Sequence, residues 1–262
     1  MSDAPAFDIL DGPHPDAETV LLSAGLGGTA GYWAPQLDAL RTRYRVVTYD
    51  QAGTGRARRP LPADHSIAAM ADEACAVLDA SRTPAAHFVG HALGGLVGLA
   101  LATRAPERLL SLCVVNGWAK AAAHTRRCFD MRLALLRHEG PSAYVRAQPI
   151  FLFPADWLER NADRAAHEEA HGLAGFQGAE TLQARIAALL AFDAGPDLAR
   201  LSLPTLIVAS RDDVLVPSAM SEALAASIPG ARLELFPWGG HAINVTQPDP
   251  FNTLLLECLG ST

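Results

Sequence analysis

Gly90-His91-Ala92-Leu93-Gly94-Gly95 joins a short apolar run, Ala86-His87-Phe88-Val89, to an apolar stretch of helical length, Leu93 to Thr103. Glycines flank its centre, as a turn too tight for side chains requires. Outward from this strand–turn–helix unit the same alternation recurs. Upstream, Thr19 to Ala24 predicts a strand buried on both faces. A helix is expected from Trp33 to Tyr44, a strand from Arg45 to Tyr49, and a helix from the N-cap Ser66 to about Leu78. A further strand covers Leu109 to Val115. From Trp118 to about Asp197 the chain is rich in Ala, Leu and Arg, which predicts helices and no strand, with breaks at Pro149, Pro154 and Gly172 to Gly178. Alternation then resumes, with strands at Thr205 to Ala209 and Arg232 to Phe236 and helices at Ser218 to Ser227 and Asp249 to Leu259. The expected fold is α/β, a mostly parallel sheet flanked by helices. Residues 1–117 and 198–262 form its core, and a helical cap, 118–197, is inserted between two strands.

Half of the 262 residues are hydrophobic and 19% are charged, which excludes a disordered chain and provides for a large core. The net charge of -7 argues against nucleic acid or an anionic membrane as partner and leaves a small-molecule substrate. A homodimer is left open. Cys75, Cys113, Cys128 and Cys258 are scattered and read as buried free thiols of a reducing compartment. Met1-Ser2-Asp3-Ala4-Pro5 lacks a signal-peptide pattern. No charge occurs between Arg82 and Arg104, but Pro84, two histidines and four glycines break that stretch, so no membrane span is expected. These features predict a cytoplasmic protein.

The glycine-flanked turn has the form of a G-x-S-x-G nucleophile elbow, with Ala92 where the serine would stand. Downstream, Asp213 in Ser210-Arg211-Asp212-Asp213 follows a strand, and His241 in Gly239-Gly240-His241 follows the last one. The order elbow, acid, histidine is that of the α/β-hydrolases, which the whole chain resembles. Position by position, Asp213 matches the family's acid better than Asp212, and His241 matches its histidine. Ala24-Gly25-Leu26-Gly27-Gly28 stands where the family has His-Gly-x-Gly, so the Leu26 and Leu93 amides match its oxyanion donors.

Several further stretches are similar to the RutD proteins of bacterial uracil degradation. They are Asn116-Gly117-Trp118, His124-Thr125-Arg126-Arg127-Cys128-Phe129, Pro154-Ala155-Asp156-Trp157, Phe176-Gln177-Gly178 and Gly240-His241-Ala242. This resemblance implies hydrolysis of a small nitrogenous acid, aminoacrylate or carbamate, with release of ammonia and no cofactor. It also implies a native alanine at the elbow.

With no serine to activate, His241, oriented by Asp213, is expected to act directly on water or to carry a proton to the departing amine. The contrary reading is an inactive α/β-hydrolase fold that only binds a small molecule. Arg126 and Arg127 fit a solvated helix face or a clamp on a substrate carboxylate equally well, and His124 is similarly ambiguous. Two decoys are set aside. His167-Glu168-Glu169-Ala170-His171 has zinc-site spacing, but its polar flanks, the break expected at Gly172 and the lack of a third ligand favour a solvated helix without metal. Gly25-Leu26-Gly27-Gly28-Thr29-Ala30 with Asp50 resembles a dinucleotide fingerprint, which leaves the second glycine turn and His241 unexplained.

Overall fold

The computed structural model describes residues 5–260. Met1 to Ala4, where the signal-peptide pattern is missing, lie outside them. Along the chain come β1 (Ala6–Leu10), β2 (Thr19–Ser23), α1 (Ala34–Arg41), β3 (Arg45–Asp50), α2 (Ile67–Ala80), β4 (Ala86–His91), α3 (Leu93–Arg104) and β5 (Leu109–Val115). Five helices follow: α4 (Ala123–Glu139), α5 (Pro141–Leu152), α6 (Ala155–Arg160), α7 (Ala162–Ala174) and α8 (Ala179–Ala191). The chain then returns through β6 (Thr205–Ser210), α9 (Ser218–Ser227), β7 (Arg232–Phe236), α10 (Ile243–Thr246) and α11 (Pro248–Leu259).

The seven strands form one sheet in the order β1-β3-β2-β4-β5-β6-β7. Six run parallel, and β1 pairs antiparallel with β3. β2 and β4 are buried along their whole length, which is why they read as unbroken apolar runs. β1 lacks that signature. It lies at the sheet edge and no residue of it is fully buried, so its sequence gives no strand signal. Ser66 caps α2 as expected, its side chain accepting from the Ala69 amide at 3.3 Å.

The five helices α4–α8 stand between β5 and β6, and the two ends of this insertion meet. Lys120 and Asp193 form an isolated bridge and an ion pair at 2.6 Å, and the Ala194 amide donates to the Ala119 carbonyl at 2.9 Å. Of the expected breaks, that at Pro149 is absent, since it lies inside α5, and that at Gly172 to Gly178 is present but begins only after Ala174, with Gly172 inside α7. An isolated glycine costs a helix only about 1 kcal/mol relative to alanine, which neighbouring turns absorb. Among the described residues no helix is long and apolar enough to cross a membrane. Cys113 and Cys128 are buried free thiols, whereas Cys75 and Cys258 are only half-buried.

Candidate active site

The β4–α3 turn carries the site. Ala92 sits at φ 47, ψ −110, a backbone region that non-glycine residues rarely occupy. Its amide donates to the Val115 carbonyl at 2.8 Å and its carbonyl accepts from Leu96 at 3.1 Å, which anchors the turn to β5 and α3. A Cβ on Gly90 would strike the Gly94 carbonyl, and one on Gly94 would strike that of Ser23. The turn therefore requires glycine at both places, and its tip presents a methyl group where an elbow serine would present a hydroxyl.

Asp213 follows β6 and His241 follows β7, and the sheet brings them together: His241 Nδ1 lies 2.7 Å from Asp213 Oδ2, both side chains buried. Asp213 Oδ1 accepts from the Leu215 and Val216 amides at 2.8 and 2.9 Å. A carboxylate so held accepts the Nδ1 proton, which leaves the Nε2 lone pair directed at the cavity. Asp212 serves the backbone instead. Its Oδ1 accepts from the Gly240 amide at 2.9 Å and fixes the histidine loop.

Two residues not singled out from the sequence hold that loop as well. The His241 carbonyl accepts from His91 Nε2 at 2.8 Å and from Asn116 Nδ2 at 2.7 Å. The His91 ring lies against Tyr32 and His241, with centroids at 4.9 and 4.7 Å. Burial, with the charge of His241 next in weight, holds the His91 pKa far below its usual value, so its ring is neutral. His91 is visible inside the elbow motif, and Asn116 inside Asn116-Gly117-Trp118.

The oxyanion loop is braced from the cap. Arg185 of α8 is wholly buried and donates to the carbonyls of Gly25 (3.4 Å), Leu26 (3.2 Å) and Ala52 (3.3 Å) and to Gln51 Oε1. The Gly25 carbonyl and Leu26 amide belong to one trans peptide unit and point in opposite directions. The Gly28 amide (3.0 Å) and Arg185 together hold that carbonyl, which aims the Leu26 amide away from them, toward the cavity. The Leu93 amide opens α3 and points back along the helix axis. Among the described residues neither amide donates a hydrogen bond. Both are available to a developing oxyanion.

Behind Arg185, His65 has a buried Nε2 without a partner, and burial together with the Arg185 charge lowers its pKa to about 4. The folded state thus resists protonation of His65 while the unfolded chain accepts it near pH 6.5. Its contribution is complete above pH 6.5 and is lost as the pH falls toward about 4. Urea midpoints should consequently drop between pH 7 and pH 5, and His65→Gln should flatten that drop. Parallel midpoint profiles for the two proteins would contradict this.

The site opens into a cavity of about 700 Å³ between cap and sheet, lined among others by Tyr32, Ala92, Trp118, Phe129, Leu215 and His241. His124, Arg126 and Arg127 do not line it, which corrects the expectation for all three. His124 Nε2 donates to the Val214 carbonyl at 2.7 Å, and Arg126 donates to the Leu190 carbonyl at 2.8 Å. Arg127 is exposed and reaches only the Ala123 carbonyl of its own helix, at 3.5 Å. The buried face of α4 is Thr125, Cys128, Phe129, Arg132 and Leu136, so the inward-facing cation is Arg132.

The solvated-helix reading of α7 also changes. The helix runs on past Gly172, and Arg164, His167, Glu168 and His171 stand on the cavity wall. Among the described residues no three His, Cys, Asp or Glu side chains converge as a metal would need. Asp50, the acid of the dinucleotide reading, is taken up by the Ala30 amide (2.8 Å) and Arg56 (2.9 Å).

Residues 18–248 match the family model for the alpha/beta hydrolase fold. The RutD protein of Caulobacter sp. (strain K31), named as a carbamate hydrolase, is 50% identical over 252 residues, 96% of this chain and 94% of that one. The RutD protein of Stutzerimonas stutzeri (strain A1501), named likewise, is 50% identical over 94% of this chain and 93% of its own. Among solved structures, a hydrolase from Pseudomonas aeruginosa PA01 superposes with a TM-score of 0.87 at 31% identity, covering 97% of this chain and 93% of that one. The enol-lactonase from Burkholderia xenovorans LB400 does so with a TM-score of 0.87 at 26% identity, covering 97% and 95%. With an elbow, acid and histidine in the expected order and half its residues shared along nearly its full length, this chain belongs to the α/β-hydrolase family, in its RutD branch.

Proposed function

We propose that this protein hydrolyses the C–N bond of a small labile acid, a carbamate or an aminoacrylate, and releases ammonia in pyrimidine breakdown. The observation that carries this reading is the buried His241–Asp213 pair at 2.7 Å beside an elbow with no nucleophile. The names of the RutD relatives support the substrate class. His241 Nε2 takes a proton from water as the water oxygen bonds to the carbon bearing nitrogen, and Asp213 stabilises the imidazolium. The Leu26 and Leu93 amides receive the negative charge that develops on oxygen. The imidazolium then returns its proton to the leaving nitrogen. Carbamate and water become bicarbonate and ammonia, whereas aminoacrylate and water become a 3-oxo acid and ammonia.

Magnitudes favour a labile substrate. General-base assistance supplies about 10²–10⁴-fold, too little for a stable amide but sufficient for carbamates and enamines, which already decompose in water. The methyl group at position 92 also suits a second reading, a fold that binds but does not turn over. Ammonia release decides between them: it should exceed the spontaneous rate in proportion to enzyme, and an unaltered rate would establish the binding protein. No stoichiometric burst should follow addition of a p-nitrophenyl ester, since a burst requires a covalent nucleophile. Ala92→Ser should fold normally, because φ 47 is already borne there by a residue with a Cβ, and weak esterase turnover is its expected gain.

A further inference from the structure

We infer that Arg132 is the anion anchor of the cavity and that the ligand it takes is a small carboxylate. The inference rests on the hydrolase reading for what the anchored ligand undergoes, though not for the anchoring itself. Arg132 is 2% exposed and stands on the cavity wall that also carries Ala92 and His241. Its Nη2 donates to Tyr144 Oη at 2.7 Å and to Gln148 Oε1 at 2.9 Å. Aromatic rings of Phe129, Tyr144 and Phe151 lie 5.2, 5.1 and 5.5 Å from its guanidinium carbon. Every one of these partners is uncharged. They position the guanidinium and shield it, but they do not neutralise it.

Among the described residues no carboxylate comes within 4.0 Å of Arg132, and its Nε is buried without a hydrogen-bond partner. Among the described residues Nη1 also donates to nothing, both of the guanidinium's hydrogen bonds coming from Nη2. The other guanidinium on the wall, Arg164, is exposed and already paired with Glu168 at 2.9 Å, which engages the cavity's glutamate as well. A buried unpaired charge is costly, and an apolar, aromatic-lined pocket makes a missing anionic partner the natural complement. A guanidinium with unused N–H groups matches a carboxylate, which can accept two of them at once. Anchoring from the cap also separates two roles. Arg132 holds the charge, and the Leu26 and Leu93 amides stay free for the oxyanion formed at His241.

The test is equilibrium binding, with propionate and its uncharged isostere propionamide as probes, read by calorimetry or ligand-observed NMR. On the unaltered protein, propionate should bind at least about tenfold more tightly than propionamide, and this comparison depends on no variant's folding. Arg132→Gln should weaken propionate about 10- to 100-fold and leave propionamide unchanged. Arg132→Lys should recover part of the loss, and the exposed Arg127→Gln should behave as the unaltered protein. Equal affinity for the two probes, or propionate binding that survives Arg132→Gln, would overturn the inference and place the anion at the backbone amides. Ammonia release is measured separately. Carboxylate selectivity that depends on Arg132, without accelerated ammonia release, would uphold the anchor and remove the hydrolase reading.

Discussion

His241→Ala is expected to reduce ammonia release to the spontaneous rate, a loss of about 10²–10⁴-fold. Among the described residues no second base is free beside the elbow to replace it. His91 is neutral, but its Nε2 is committed to the His241 carbonyl and its Nδ1 is buried. The fold should persist, because the His241 backbone, not its ring, is what His91 and Asn116 grip. Asp213→Asn should cost nearly as much in rate, since a neutral partner neither fixes the Nδ1–H tautomer nor stabilises the imidazolium. Initial rates of ammonia release, with circular dichroism as the check on folding, measure both. A His241→Ala protein that retained the full rate would take the histidine out of the chemistry.

Arg185→Met is expected to lower stability on the order of 3–5 kcal/mol, because four buried acceptors lose a donor at once. Among the described residues the Ala52 carbonyl and Gln51 Oε1 keep none, whereas Gly25 retains the Gly28 amide and Leu26 retains Gln177. In a chain of this size that corresponds to a fall in Tm of about 10 °C or more. Turnover should fall further than folding alone explains. With the Gly25 carbonyl left to the Gly28 amide alone, the Leu26 amide is held less firmly toward the cavity, and complete loss of one oxyanion donor, about 10²–10³ in kcat, is the upper bound. Arg185 stays charged at neutral pH even though burial lowers its pKa to about 10, so Arg185→Lys should restore part of the stability. Thermal melts together with kcat and KM on folded protein test this. A Tm unchanged within a degree and an unchanged kcat would show that the cap does not brace the loop.

The sheet, the elbow and the acid–histidine pair are legible in the amino-acid order because their signals are local. Strands buried on both faces read as apolar runs, and a turn without room for Cβ atoms reads as glycine. Asp213 and His241 can be chosen because each follows a recognisable strand, and parallel strands deliver their carboxyl ends to one edge. Cap chemistry is not legible in this way. Pattern reading sends charged residues to solvent, so it weighs Arg126 and Arg127 and passes over Arg132, which shares a face with Cys128, Phe129 and Leu136. Successive helical residues differ by about 100°, and only packing against α5 and the core decides which arginine turns inward. Arg185 is a clearer case. Its role depends on contacts with residues 133 to 160 positions earlier, a separation at which sequence periodicity carries no information. Only the folded chain places those two buried charges, one against backbone carbonyls and the other in an aromatic pocket, because the cost of burying a charge is settled by all its neighbours together.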